Sequence, residues 1–230
     1  MADQLSAGIP AERMYVQVVE EGPYRIFGAA SGTKVEIAND PDGTSWEYRP
    51  VESVSLREGS ELCRCGQSST KPFCDSSHVG AGVDVTETAG HIPYRDEAES
   101  IEGPEATLLD KVSLCAFARF CDAGDRVWTE VTETGDGHRE LTTRMVSHCA
   151  GGRLTLIDND SGIDVETPEE QSISFIEDPT IGKSGPIMLR GGVLVVAADG
   201  QPYEGRNRQA LCRCGRSSHK PFCDASHAAE

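Results

Sequence analysis

The sequence predicts a mainly β, α+β fold: two similar β-rich modules around a small middle region. Three observations carry this. The pattern C-x-C-x8-C-x3-H occurs twice, at residues 63–78 and 212–227. Each copy follows a Gly-Pro pair and a short apolar run, Gly22-Pro23 before Tyr24-Arg25-Ile26-Phe27 and Gly185-Pro186 before Ile187-Met188-Leu189-Arg190. The 24 glycines in 230 residues suit a turn-rich β fold better than a helical one.

Taken in chain order, strands are expected over 14–19, 24–27, 34–38, 126–131, 154–157, 173–176, 187–190 and 193–197. Most are short and rich in β-branched residues. Val16 and Val18, and separately Ile173 and Phe175, alternate with polar neighbours, as a half-buried sheet requires. Each Gly-Pro pair is expected to open a turn. A helix is expected over 106–120, with Leu108, Leu109, Val112 and Cys115 on one face, Pro104 at its start and Gly124 at its end. The acidic stretch 91–104, with Asp96, Glu97, Glu99 and Glu102, reads as a linker. Pro168-Glu169-Glu170 and Asp178-Pro179 lead into the last module. These signals divide the chain into 1–90, 91–175 and 176–230.

Hydrophobic residues make up 37% and aromatics 6%, a lean core that bound metal would help to hold together. The formal net charge of −17 opposes nucleic acid and anionic lipid and suits a partner with a basic face. Nine cysteines, an odd number with C-x-C spacing, argue against a secreted disulfide framework and for the reducing cytoplasm. The longest apolar stretch, about 191–198, is too short to span a bilayer. The opening Met1-Ala2-Asp3-Gln4 lacks the basic and apolar regions of a signal peptide. No phosphate-cradling glycine loop and no G-x-S-x-G occurs, so no catalytic residue is assigned. His91, His138, His219 and Lys71 are expected at the surface.

Cys63, Cys65, Cys74 and His78, and again Cys212, Cys214, Cys223 and His227, supply three thiolates and one imidazole each. That is a complete donor set for a soft metal centre. Gly66 and Gly215 let the chain bend away from C-x-C. Asp75 and Asp224 can accept bonds from the N–H groups that follow them and so fix the histidine beside the third cysteine. Two occupants suit the set: one tetrahedral zinc ion, or a [2Fe–2S] cluster with two protein ligands on each iron. Cysteines one residue apart are closer than structural zinc sites usually have, which favours the cluster.

The wider pattern C-x-C-x2-[ST]-x3-P-x-C-D-x-[ST]-H resembles the CDGSH iron–sulfur family, whose best-known members are the mitoNEET-like proteins. Both copies keep every ligand, Ser68 and Ser217, Pro72 and Pro221, and Asp75 and Asp224. The family's glycine is Ser76 in one copy and Ala225 in the other, types that disfavour a left-handed backbone. The resemblance implies a [2Fe–2S] cluster at each site and two motif-bearing units paired about a two-fold axis. Single-motif members dimerise, so this chain is expected to be a monomer with internal pseudo-symmetry or a homodimer. The family's membrane anchor is not expected here. The implied role is electron or cluster transfer to a redox protein or an apo-acceptor protein. Because an imidazole can be protonated and leave, His78 and His227 would make the clusters acid-labile and raise their potentials. The rival readings are a zinc-binding structural or interaction module and a redox component of an oxidoreductase system.

In the middle region Cys115-x5-Cys121 precedes His148-Cys149. With Trp128 and Cys149-Ala150-Gly151-Gly152-Arg153-Leu154, it resembles the divergent single-cluster ferredoxin domain, which couples C-x5-C to a later C-P-x-G-x-L. That resemblance implies a [3Fe–4S] centre on Cys115, Cys121 and Cys149, with His148 as a candidate fourth ligand. Ala118 stands where a further ligand would, and Ala150 replaces the proline. The alternative is a degenerate remnant whose cysteines are core residues, a common place for cysteine.

Overall fold

The computed structural model describes residues 13–28 and 31–229, so the opening tetrapeptide lies outside the described residues. Strands β1 (Tyr15–Val18) and β2 (Tyr24–Phe27) form an antiparallel pair joined through Gly22-Pro23. Then come β3 (Ser31–Asn39), β4 (Ser45–Ser55) and β5 (Glu61–Leu62), the last running directly into Cys63. Helices α1 (Ser77–Ala81) and α2 (Tyr94–Glu97) are single turns. The middle region holds β6 (Glu99–Glu102), β7 (Ala106–Asp110), α3 (Val127–Glu130), α4 (Asp136–Ser147) and β8 (Leu154–Asp158). The last part holds β9 (Ser172–Asp178), β10 (Lys183–Arg190), β11 (Leu194–Val196) and β12 (Arg208–Leu211), the last running into Cys212. The protein is mainly β with few short helices.

The two motif-bearing halves exchange strands. One sheet has the order β11-β1-β2-β5, the other β12-β10-β9-β3-β4. Reversed, the second reads β4-β3-β9-β10-β12, and its last four strands match the first sheet strand for strand. Each sheet takes a strand from the other half: β11 lies parallel to β1, and β3, with β4 outside it, lies parallel to β9. The remaining pairs, β1–β2 with β2–β5 and β9–β10 with β10–β12, are all antiparallel. The alternating residues of both halves meet in one core, in which Val16, Tyr24 and Ile26 pack with Phe175, Leu189 and Val195. Burying that apolar surface is what holds the halves together.

Four expectations are corrected here. The helix expected over 106–120 is instead β7, a short 3₁₀ turn at Val112–Leu114 and an extended cysteine loop. β7 lies between β6 and β8, and both of its faces are covered, so Leu108 and Leu109 are adjacent and both buried. A doubly buried strand loses the alternation that marks strands in sequence and resembles one face of a helix. The strand expected over 126–131 is α3: Arg126 at φ 71 breaks the extended run, and Val127 and Val131, one helical turn apart, enter the middle-region core. The acidic stretch 91–104 is not a bare linker, since it contains α2 and β6. Gly185-Pro186 opens no turn; it lies inside β10, where the pairing with β9 shifts register.

The longest elements that were not expected are α4 and β4. The polar helix α4 buries only Thr142, Met145 and Val146. The edge strand β4 is mostly exposed and carries Pro50 at a register shift against β3, a position proline tolerates.

Candidate metal centre

Each motif is a loop closed by its own backbone. The Cys63 N–H donates to Pro72 O at 2.9 Å and the Cys74 N–H to Glu61 O at 2.9 Å. In the second copy the Cys212 N–H donates to Pro221 O and the Cys223 N–H to Ala210 O, both at 2.8 Å. Lys71-Pro72 and Lys220-Pro221 are both cis. Ser68 and Ser217 donate their hydroxyls to Phe73 O and Phe222 O at 2.6 and 2.7 Å. Arg64 and Arg213, the residues inside C-x-C, are buried and donate to Gly22 O and Gly185 O. Each arginine thereby ties its loop to the Gly-Pro pair that begins its module. Both copies read C-R-C, so the signal was present in the sequence, though its role was not.

The donor atoms stand in two pairs per site. Cys63 Sγ lies 3.6 Å from Cys65 Sγ, and Cys74 Sγ lies 3.8 Å from His78 Nδ1. The corresponding distances in the second site are 3.6 Å for Cys212–Cys214 and 3.5 Å for Cys223–His227. Among the described residues, no three His, Cys, Asp or Glu side chains converge as a single bound ion needs. Two backbone N–H groups point at sulfur in the first site, from Gln67 to Cys65 and from Ser76 to Cys74, both at 3.4 Å. Such donors favour the thiolate over the thiol.

The aspartates act as expected. Asp75 accepts from the Ser77 N–H at 3.1 Å and the Ser69 N–H at 2.8 Å, and Asp224 from the Ser226 and Ser218 N–H groups at 3.0 and 2.7 Å. The bonds from Ser77 and Ser69 hold Asp75 well below the usual carboxylate range. Burial raises Asp224, but the bonds from Ser226 and Ser218 outweigh it and bring it to about 2. Both residues that replace the family's glycine keep its left-handed backbone, Ser76 at φ 66 and Ala225 at φ 71. The substitutions have left the turn intact and added strain to it.

The two loops meet back to back. Cys65 and Cys214 form an antiparallel bridge at the pseudo-two-fold axis. A Cβ on Gly66 would lie 2.6 Å from Cys214 O, and one on Gly215 would lie 2.5 Å from Cys65 O. Both glycines have positive φ, 78° and 79°. The bend read from the sequence is there, and the close approach across the axis is a second requirement that the sequence did not reveal.

The family model described as an iron-binding zinc finger of CDGSH type matches residues 21–79 and 184–228. The chain carries two CDGSH-type iron-binding domains. Their tandem arrangement on one chain is consistent with a two-motif member of that family, and domains of this type point to an iron–sulfur protein. No curated protein and no solved structure matches the chain.

The two CDGSH sites differ in their surroundings. The second is deep: His227 is 5% exposed and Cys223 3%. The Tyr24 hydroxyl lies 2.8 Å from Cys212 O and 2.9 Å from Pro221 O, and the Thr88 and Ala89 N–H groups donate to Lys220 O. Residues of the first half thus brace the second CDGSH loop. In the first site Cys74 and His78 are half-buried, and α1, which carries His78, has no buried residue. Burial holds His227 below the ordinary imidazole range, with Arg213 adding to the effect. The bond from Cys212 pulls Cys214 down to about 6 and pushes Cys212 itself up. Burial raises Cys65 and Cys74.

Outside the CDGSH motifs, Cys115, Cys121 and Cys149 line one pocket, and His148 borders it. His148 Nδ1 lies 2.8 Å from Arg144 O, and its ring packs against Phe120 and Tyr48. Burial first, then the neighbouring Cys149, pushes Cys121 up to about 12. His91 is exposed as expected, while His138 and His219 are only partly so. No described helix is long and apolar enough to cross a membrane.

Proposed function

We propose that the protein holds two [2Fe–2S] clusters, one on Cys63, Cys65, Cys74 and His78 and one on Cys212, Cys214, Cys223 and His227, and acts as a non-enzymatic electron carrier. The observation that carries this reading is the pairing of donors. Ligands 2.3 Å from one tetrahedral metal stand about 3.8 Å apart. Each C-x-C pair and each Cys-His pair has about that spacing, 3.5–3.8 Å. The donors of a site do not gather further around one centre. Two donors for each of two bridged irons fit this arrangement better than four donors on one zinc.

When bound, such a cluster supplies a one-electron couple, and a histidine ligand places its potential above that of an all-thiolate cluster. The chain's own contribution is to hold the thiolates with N–H···S bonds, anchor the loops through Arg64 and Arg213, and keep water from the second site. The net charge of −17 supports an acceptor with a basic face and disfavours nucleic acid. A second reading, transfer of the whole cluster to an apo-protein, draws on the half-buried Cys74 and His78, which leave the first site open to an incoming ligand. Metal and sulfide analysis of anaerobically purified protein, with visible and EPR spectra before and after reduction, tests the proposal. Each CDGSH site is expected to hold about two irons and two labile sulfides. Colourless protein with stoichiometric zinc and no acid-labile sulfide would end it.

A further inference from the structure

The second CDGSH loop is capped by a short extended segment of the first half, residues 86–89, which follows α1. The Thr88 and Ala89 N–H groups both donate to Lys220 O at 2.8 Å, and the Thr88 hydroxyl donates to Ser218 O at 2.8 Å. The Glu87 carboxylate accepts the Ala198 N–H at 2.9 Å and the Tyr203 hydroxyl at 3.0 Å. Main-chain donors, one hydroxyl and one carboxylate thus hold the segment in place.

The pseudo-two-fold gives this place an equivalent on the first half. Arg64 donates to Val19 O as Arg213 donates to Ile176 O, so Val19 corresponds to Ile176. Continuing the registers from there, β11 corresponds to β3 and Ala197 falls on Lys34. The Tyr203 N–H donates to Val195 O where Val54 pairs with Gly32, so Tyr203 falls on Val54. The equivalent of the capped place is therefore bordered by Lys34, Val54 and the turn Lys71-Pro72-Phe73. There the structure has an open groove of about 330 Å³.

The groups that a cap would use are uncommitted. Lys71 O and Ser69 O, the counterparts of Lys220 O and Ser218 O, accept no hydrogen bond among the described residues. The ammonium groups of Lys34 and Lys71 make no hydrogen bond and no ion pair there either. Of the two carboxylates lining the groove, Glu177 is held by Arg213 at 2.7 Å and Ser184 at 2.6 Å, and Glu52 is exposed. In a chain with 38 acidic and 21 basic side chains, two uncommitted lysines on one groove call for a negatively charged occupant.

We propose that the groove beside the first CDGSH loop docks an extended segment of a partner protein, bound as residues 86–89 are bound on the second loop. Its main-chain N–H groups donate to Lys71 O, a hydroxyl donates to Ser69 O, and one carboxylate lies between Lys34 and Lys71. Main-chain bonds supply affinity in such docking, and the side chains supply specificity. The occupant is a short segment because the net charge of −17 repels an acidic surface, and a partner can present it from an otherwise basic face. The segment would bring the partner to the loop that carries Cys74, in the more open of the two sites. Docking of this kind does not depend on which metal the site holds.

The chain's own cap provides the probe: a fluorescent peptide Val85-Thr86-Glu87-Thr88-Ala89-Gly90, blocked at both ends and titrated at low salt with the full-length protein. On the second loop the tethered copy outcompetes it, so the peptide reports the first groove. Its anisotropy should rise on binding. K34E and K71E should each weaken binding about tenfold, since each exchanges an attraction for a repulsion. E87Q in the peptide should weaken it too, and K220E in the protein, on the capped loop, should change nothing. Circular dichroism shows that the variants fold. Binding that K34E and K71E leave intact, or no binding up to about 1 mM protein, overturns the proposal. A full-length dimer that K71E dissociates, with no peptide bound, would give the groove to a second copy and overturn it as well.

Discussion

His78 and His227 hold matching places in the two motifs, but only His227 is buried. A cluster is lost in acid when its imidazole takes up a proton and leaves the metal. Because protons reach the half-buried His78 more readily than the buried His227, the second site should resist acid longer than the first. Loss of visible absorbance in acid should therefore be biphasic, with H78C removing the fast phase and H227C the slow one. A single phase, unchanged in both variants, would contradict this. A smaller effect belongs to Ser76 and Ala225. Left-handed backbone costs a non-glycine residue about 1–2 kcal/mol, and glycine gives back part of that in chain entropy. S76G and A225G should each stabilise the protein by about 1 kcal/mol, a rise of about 2–4 °C in Tm for a chain of this size, readable by thermal melting.

Between α3 and α4 the contact that matters is His138 Nδ1 with Glu130 Oε2 at 2.6 Å, while Glu130 Oε1 accepts the Asp125 N–H at 2.8 Å. The bond to Glu130 raises His138 above its ordinary value. A histidine raised in the folded state contributes stability that is full below its unfolded pKa, about 6.5, and is lost as pH rises through the folded value. Glu130 is lowered; burial opposes this, but the bonds from Asp125 and His138 outweigh it. Its share is therefore present above about pH 4.3 and lost as pH falls through its folded value. The pair is at its strongest between those limits. An NMR titration should place the His138 midpoint above 6.5, and E130Q should bring it back toward that value; a midpoint that E130Q leaves in place would refute the assignment. The same region shows where sequence reading ends. The alternating β1 and β9 were legible because each buries one face, and the donor sets were legible because their spacing repeats. β7 was misread because both of its faces are buried, and α4 was missed because its buried face is narrow. The cysteine loop around residue 117 was invisible as such, since no residue type announces a left-handed phenylalanine.

At the level of the whole molecule, the exchanged strands make each motif depend on the other half. β1 lacks an outer neighbour unless β11 is present, and β9 lacks one unless β3 is present. The pseudo-symmetry places β3 in the same role as β11, and β3 belongs to the first half. A fragment spanning residues 1–90 therefore contains every strand type that its sheet needs, but it cannot place β3 beside its own β1 in that role. Two copies can do so, each lending β3 to the other's sheet in the isologous arrangement that favours closed dimers. Gly66, which now faces Cys214 O, would then face Cys65 of the second copy, and the close approach would be kept. The fragment should accordingly sediment as a dimer, take up iron only in that state, and lose both properties when a charged residue replaces Val16, which is fully buried beside β11. An iron-loaded monomer in the ultracentrifuge would show instead that the strand exchange is dispensable, and that each CDGSH loop closes around its metal without help from the other half.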